Sequence, residues 1–127
     1  MRKIAILITI LFASLFTFGC RKKENTYVQI TPQEAKSIMD NEKDYIILDV
    51  RALDEYNSGH IKNAILIPHD EIVSKAENIL EDKDQLILVY CRSGRRSKIA
   101  AENLVKLGYT NVKEFGGIND WPYEIVK

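Results

Sequence analysis

Two stretches of this 127-residue chain, Tyr45-Ile46-Ile47-Leu48-Asp49-Val50 and Leu86-Ile87-Leu88-Val89-Tyr90, are apolar almost without interruption. A strand with one wet face alternates apolar and polar residues. One that does not alternate must be covered on both faces, as happens when helices join parallel strands. The segments around these two runs supply such helices. Thr31-Pro32-Gln33-Glu34 combines an N-cap hydroxyl, a proline at the first helical position and a glutamate three residues on, and predicts a helix to about Asn41 that buries Ala35, Ile38 and Met39. A short helix is expected over Leu53–Tyr56, a longer one over Glu71–Leu80 with Ile72, Val73, Ala76, Ile79 and Leu80 apolar, and a last one over Ser97–Leu107, stopped by Gly108. Shorter strands are expected at Tyr27–Ile30, at Ala64–Ile67 before Pro68, and at Val112–Phe115 before Gly116-Gly117. Strands alternating with helices predict an α/β fold with a largely parallel, five-stranded sheet flanked by helices.

The first residues do not fit this pattern. Arg2 and Lys3 precede an uncharged apolar run from Ile4 to Phe18, the length of a signal peptide's core and short of the roughly 20 residues that span a bilayer. Phe16-Thr17-Phe18-Gly19-Cys20 resembles a bacterial lipobox, which implies a signal peptide over 1–19, lipidation of Cys20, and a tether to residue 26 ahead of one domain over 27–127. The alternative is a leader retained as an anchor. Either way the domain is expected on the membrane's extracytoplasmic side, periplasmic or at the cell surface. Removing Arg2 and Lys3 leaves 16 basic against 18 acidic side chains, a net charge near −2, so no overall basic field points to nucleic acid. With Cys20 in the leader, Cys91 is the one cysteine of the domain, which excludes an internal disulfide and a resolving thiol.

Cys91 directly follows the most apolar strand, and Arg92-Ser93-Gly94-Arg95-Arg96-Ser97 leads from it into a helix. Beyond the carboxyl ends of parallel strands, the amides of the following helix point at ligands. Three arginines and those amides around one thiol favour thiolate over thiol, and the thiolate is the nucleophile. A structural thiol at a strand end would have no use for three guanidinium groups. Gly94 is expected to supply a positive φ or room for close approach, and Arg95 is the arginine expected to be simply solvated.

Cys91–Ser97, Asp49-Val50-Arg51, Glu55-Tyr56 with Gly59-His60-Ile61, Ile67-Pro68, and Gly116-Gly117-Ile118 with Trp121 together resemble the rhodanese domain, over Tyr27 to Tyr123. Asn63, where members commonly carry glycine, departs from the pattern at a place a turn tolerates. The resemblance implies a sulfurtransferase that moves sulfane sulfur from a small anionic donor such as thiosulfate to a thiol or cyanide through a Cys91 persulfide. Loop amides from Arg92 to Ser97 would hold the negative sulfur, and Arg92 and Arg96 would meet the donor. No cofactor and no metal are implied, and a monomer is expected.

Asp49 and Arg51 should border the same crevice, more as a buried pair than as catalysts. His60 is expected to pack and hydrogen-bond locally, and Trp121 to form a hydrophobic lid. Two other functions stay open at this point. One is a phosphatase or arsenate reductase on the same fold, although such loops place five residues between cysteine and arginine where Cys91 and Arg96 have four between them. The other is a non-catalytic binding module, which the intact cysteine and arginines disfavour.

Overall fold

The computed structural model describes residues 26–127, so the leader, Cys20 and all but the last residue of the tether lie outside the described residues. Five strands, β1 (Val28–Gln29), β2 (Tyr45–Asp49), β3 (Ile65–Leu66), β4 (Leu86–Cys91) and β5 (Val112–Gly117), form one sheet in the order β1-β5-β4-β2-β3. Every neighbouring pair is parallel. The two unbroken apolar runs sit side by side, with Leu48 opposite Val89 and Asp49 opposite Tyr90. All six residues of β4 are buried, as the lack of alternation requires.

Helices cover both faces: α1 (Pro32–Asn41) and α2 (Leu53–Ser58) on one, α3 (Ile72–Ile79) and α4 (Arg95–Lys106) on the other. Successive strand residues feed opposite cores. Leu88, Tyr90 and Phe115 pack with Ala35, Ile47 and Trp121. Val89, Cys91 and Val112 pack with Ala76, Ala100 and Leu104. The start of α1 is as the sequence predicts. Thr31 Oγ1 accepts the Glu34 N–H at 3.0 Å and Glu34 Oε1 accepts the Thr31 N–H at 3.1 Å, a reciprocal cap of about 1 kcal/mol.

Four local expectations are refined. The last helix begins at Arg95 rather than Ser97, because Gly94, at φ 103°, turns the chain sharply enough for the helix to start at once. Ser97 therefore lies in its first turn and does not cap it. The segment after Pro68 opens as a 3-10 turn, His69–Glu71, before α3. Val73 and Ile79 are exposed, at 63% and 49%, while Ile72 and Ala76 carry the buried stripe of α3 and Leu80 packs just beyond its end. The third strand contributes only Ile65 and Leu66 to the ladder.

Candidate active site

The site is built where β4 ends. Cys91 is the strand's last residue, and Arg92-Ser93-Gly94 is all that separates it from α4. The loop is held by the end of β5. Asn119 donates its N–H to the Arg92 carbonyl at 3.1 Å, and a Cβ on Gly117 would come within 2.0 Å of that same oxygen. Gly117 has ordinary extended backbone, so the second glycine of the pair is required by close approach, whereas Gly116, at φ 88°, is required by its backbone angle.

Cys91 is fully buried. Its Sγ accepts the Gly94 N–H at 3.0 Å and lies 3.3 Å from Ser97 Oγ. The N–H groups of Arg95, Arg96 and Ser97 open α4 and have no carbonyl a full turn behind them, so the positive end of the helix faces the loop. A negative sulfur at this position has one amide already bonded to it and the helix end beside it.

The arginines divide. Arg96 is gripped from across the crevice by Glu55, with Nη1–Oε1 at 2.6 Å and Nη2–Oε2 at 2.9 Å. The Arg96 guanidinium, helped by the Ala52 N–H, holds the Glu55 carboxyl down at about 2 against the mild burial that opposes it. Arg92 is exposed and lines a cleft of about 270 Å³ with Arg51, Asp54, Glu55 and Asn119. On the other side of the loop Arg95 and Arg96 line a cleft of about 370 Å³ with His69, Ser93 and Ile99. Positive charge thus flanks the loop on both sides, and Arg96 is the one fixed in place.

Asp49 and Arg51 form a closed unit at the end of β2. Arg51 Nη2 meets Asp49 Oδ2 at 2.7 Å and donates to the Gly59 carbonyl at 2.6 Å. The carboxylate also accepts the Arg51 N–H at 2.9 Å and the Tyr90 hydroxyl at 2.7 Å. Burial first, and the charge of Asp49 second, push the Tyr90 phenol far above its ordinary range. His60 stacks on Tyr56 at 3.8 Å and bonds that residue's carbonyl through Nδ1 at 2.8 Å. Trp121 packs against Phe115 and Tyr123 at the end of the opposite core. Asn63 adopts φ 69°, a left-handed turn position.

Two carboxylates of the site had no role assigned from the sequence. Glu55 was visible only as part of a motif, since nothing local announces that it crosses to Arg96, 41 residues on. Glu114 lies under the loop, 2% exposed, with Oε2 at 2.5 Å from Ser97 Oγ. A signal for it existed: a carboxylate two residues after Val112 on one strand falls on the same face, and both faces of this sheet are covered.

Comparison with known proteins agrees with this geometry. The profile of the rhodanese-like domain matches residues 31–123. The adenylyltransferase and sulfurtransferase UBA4 of Candida albicans is 35% identical over 104 residues, which cover 76% of this chain but only 24% of that much longer protein. The thiosulfate sulfurtransferase PspE of Escherichia coli is 38% identical over 73 residues, 58% of this chain and 70% of the relative. Among solved structures, a rhodanese-related protein from Thermoplasma volcanium superposes with a TM-score of 0.68 at 33% identity, covering 79% of this chain and 98% of that one.

Proposed function

The chain belongs to the rhodanese-like domain family, and from that premise we propose that it is a sulfurtransferase in which Cys91 carries the sulfur as a persulfide. The observation that carries the reading is the single N–H of Gly94 aimed at a buried sulfur, 3.0 Å away, at the open end of α4. The Cys91 thiolate attacks the outer sulfur of a donor such as thiosulfate. The new S–S bond forms as the donor's S–S bond breaks, and sulfite leaves with the electron pair. A thiolate or cyanide then takes the outer sulfur, and the bonding pair returns to Cys91. Throughout the cycle the negative charge stays within the loop, where the Gly94 N–H and the helix end stabilise it without rearranging. Arg92 and Arg95, exposed on either side, attract the anionic donor, while Arg96 pins the loop to α2 through Glu55.

Two named relatives act in sulfur transfer, which supports this reading over the phosphatase and the binding module. The full chain is incubated with thiosulfate and its intact mass recorded, then cyanide is added, beside a Cys91→Ser variant. A gain of one sulfur on wild type, discharged by cyanide and absent from the variant, is the expected result. A folded protein that gains no sulfur and forms no thiocyanate overturns it.

For location, the leader supports a lipid anchor at Cys20 with the domain on the extracytoplasmic side. Labelled fatty acid should enter the wild-type chain in a bacterial host and not Cys20→Ala.

A further inference from the structure

Sulfur transfer as described leaves one buried group without a task. Glu114 is 2% exposed and belongs to none of the ion pairs among the described residues. A carboxylate taken from water without a cation needs either several hydrogen bonds or a proton. Its Oε2 accepts the Gly116 N–H at 2.8 Å and meets Ser97 Oγ at 2.5 Å, and its Oε1 lies 3.5 Å from Gln29 Nε2.

Ser97 is the hinge of the arrangement. Its Oγ is within reach of Glu114, of the Gly94 carbonyl at 3.0 Å, of the Gly116 carbonyl at 3.3 Å and of Cys91 Sγ at 3.3 Å. A hydroxyl has one proton to give. With Glu114 ionised, Ser97 donates to the carboxylate and offers the sulfur only lone pairs, which suits a thiol. With Glu114 protonated, the carboxyl donates to Ser97, whose own proton is free to turn to the sulfur, which suits a thiolate. Ser97 Oγ thus stands between Cys91 Sγ and Glu114 Oε2, within hydrogen-bond reach of both.

We propose that Cys91, Ser97 and Glu114 form a proton relay in which Glu114 holds the proton given up by the Cys91 thiol, making it a positioning residue for the nucleophile. The Cys91 S–H bond breaks as the proton passes to Ser97 Oγ, and the Ser97 O–H bond breaks as its proton passes to Glu114 Oε2. The electron pair stays on sulfur. The site carries one negative charge before and after, moved from the carboxylate to the sulfur, where the Gly94 N–H meets it. The surroundings favour that direction. Arg96 sits in the first turn of α4, which opens directly from the Cys91 loop. Around Glu114, Lys98 of α4 and Asp120 line one cleft with opposite signs, and Tyr27, just before β1, and Glu102 of α4 add no positive charge.

This inference rests on Cys91 being the nucleophile, and it is tested without a sulfur donor. Full-length wild type and Glu114→Gln are alkylated with iodoacetamide from pH 5 to 10, each rate normalised to that protein's limiting rate at high pH, so that access cancels. The Gln side chain, which must still accept the Gly116 N–H, also takes the Ser97 proton and cannot store one. Its normalised rate at pH 6 should fall about tenfold below wild type, the size expected when a thiolate loses a supporting donor. Coincident profiles, or a faster variant at low pH, overturn the relay. If Glu114→Gln does not fold, infrared spectra of wild type and Cys91→Ser at pH 7 decide. A protonated buried carboxyl present in wild type and absent from Cys91→Ser supports the relay; its absence from wild type, or its persistence in the variant, overturns it. Thiosulfate turnover measured in parallel separates failure of the relay from failure of the sulfurtransferase reading.

Discussion

The ends of β2 and β4 lie side by side at the carboxyl end of the sheet, yet they do opposite things. At the end of β2 every polar group is answered: Asp49 takes hydrogen bonds from Arg51 and Tyr90, and Arg51 spends its remaining reach on the Gly59 carbonyl. At the end of β4 the sulfur has one amide, the helix end beyond it is open, and two arginines stand exposed at the sides. A closed network at a strand end locks the neighbouring chain in place; an open one keeps its donors for a ligand. The first makes the second possible, because the α2 segment fixed by Arg51 and Gly59 carries Glu55, which holds Arg96.

The sharpest test of that division is Cys91→Ser. It should bring sulfur transfer down to background, at least a thousandfold, as is usual for loss of a covalent nucleophile, with a melting temperature near wild type. Asp49→Ala should do the reverse. It strands the buried Arg51 charge and the Tyr90 hydroxyl, so about 3–5 kcal/mol of stability should be lost in denaturant titration. If Asp49→Ala keeps its stability and loses only turnover, the two strand ends are not divided as described.

How much of this was legible in the residues follows from the range of the interactions. The unbroken apolarity of Leu86–Tyr90 declares a doubly covered strand, and the loop after it declares an anion site, because each signal is local in sequence. The Thr31 cap is legible for the same reason. What was not legible is what crosses the fold. Ser97 reads as the first residue of the last helix, but that helix starts two residues earlier and Ser97 bridges Cys91 to Glu114. Nor does anything local to Arg96 announce that Glu55 holds it. Val73 and Ile79 are apolar yet exposed, because spacing alone does not say how wide the covered stripe of α3 is.

Gly117 lies against the loop at the end of β4 and reports on its shape. Gly117→Ala sets a methyl against the Arg92 carbonyl, so the loop must move; overpacking of this kind costs about 1–3 kcal/mol. Its activity should fall well beyond what that loss of stability explains, whereas Gly116→Ala, with open space around its Cβ, meets only backbone strain. Equal effects on transfer rate from the two variants would show that the contact with Arg92 does not shape the loop.

The smallest effect expected is the clasp between the halves of the crevice. Glu55 has its carboxyl held at about 2 in the folded chain by Arg96, below the ordinary carboxylate value of 4.5. A depressed carboxylate stabilises the fold above its unfolded value and loses that contribution as protons reach the folded form, here as pH falls from about 4.5 to about 2. Both side chains keep roughly a quarter of their surface in solvent, 27% for Arg96 and 23% for Glu55, so screening limits the gain to about 1 kcal/mol or less. Glu55→Gln should therefore melt slightly below wild type at pH 7, with the gap closing as the pH approaches 2 and shrinking in 1 M salt. Freed from Glu55, Arg96 should also loosen the start of α4, raising KM for thiosulfate more than it lowers kcat. A gap in melting temperature that stays constant from pH 7 to 2 would mean that the pair contributes through packing rather than charge, and that α2 holds the loop by shape alone.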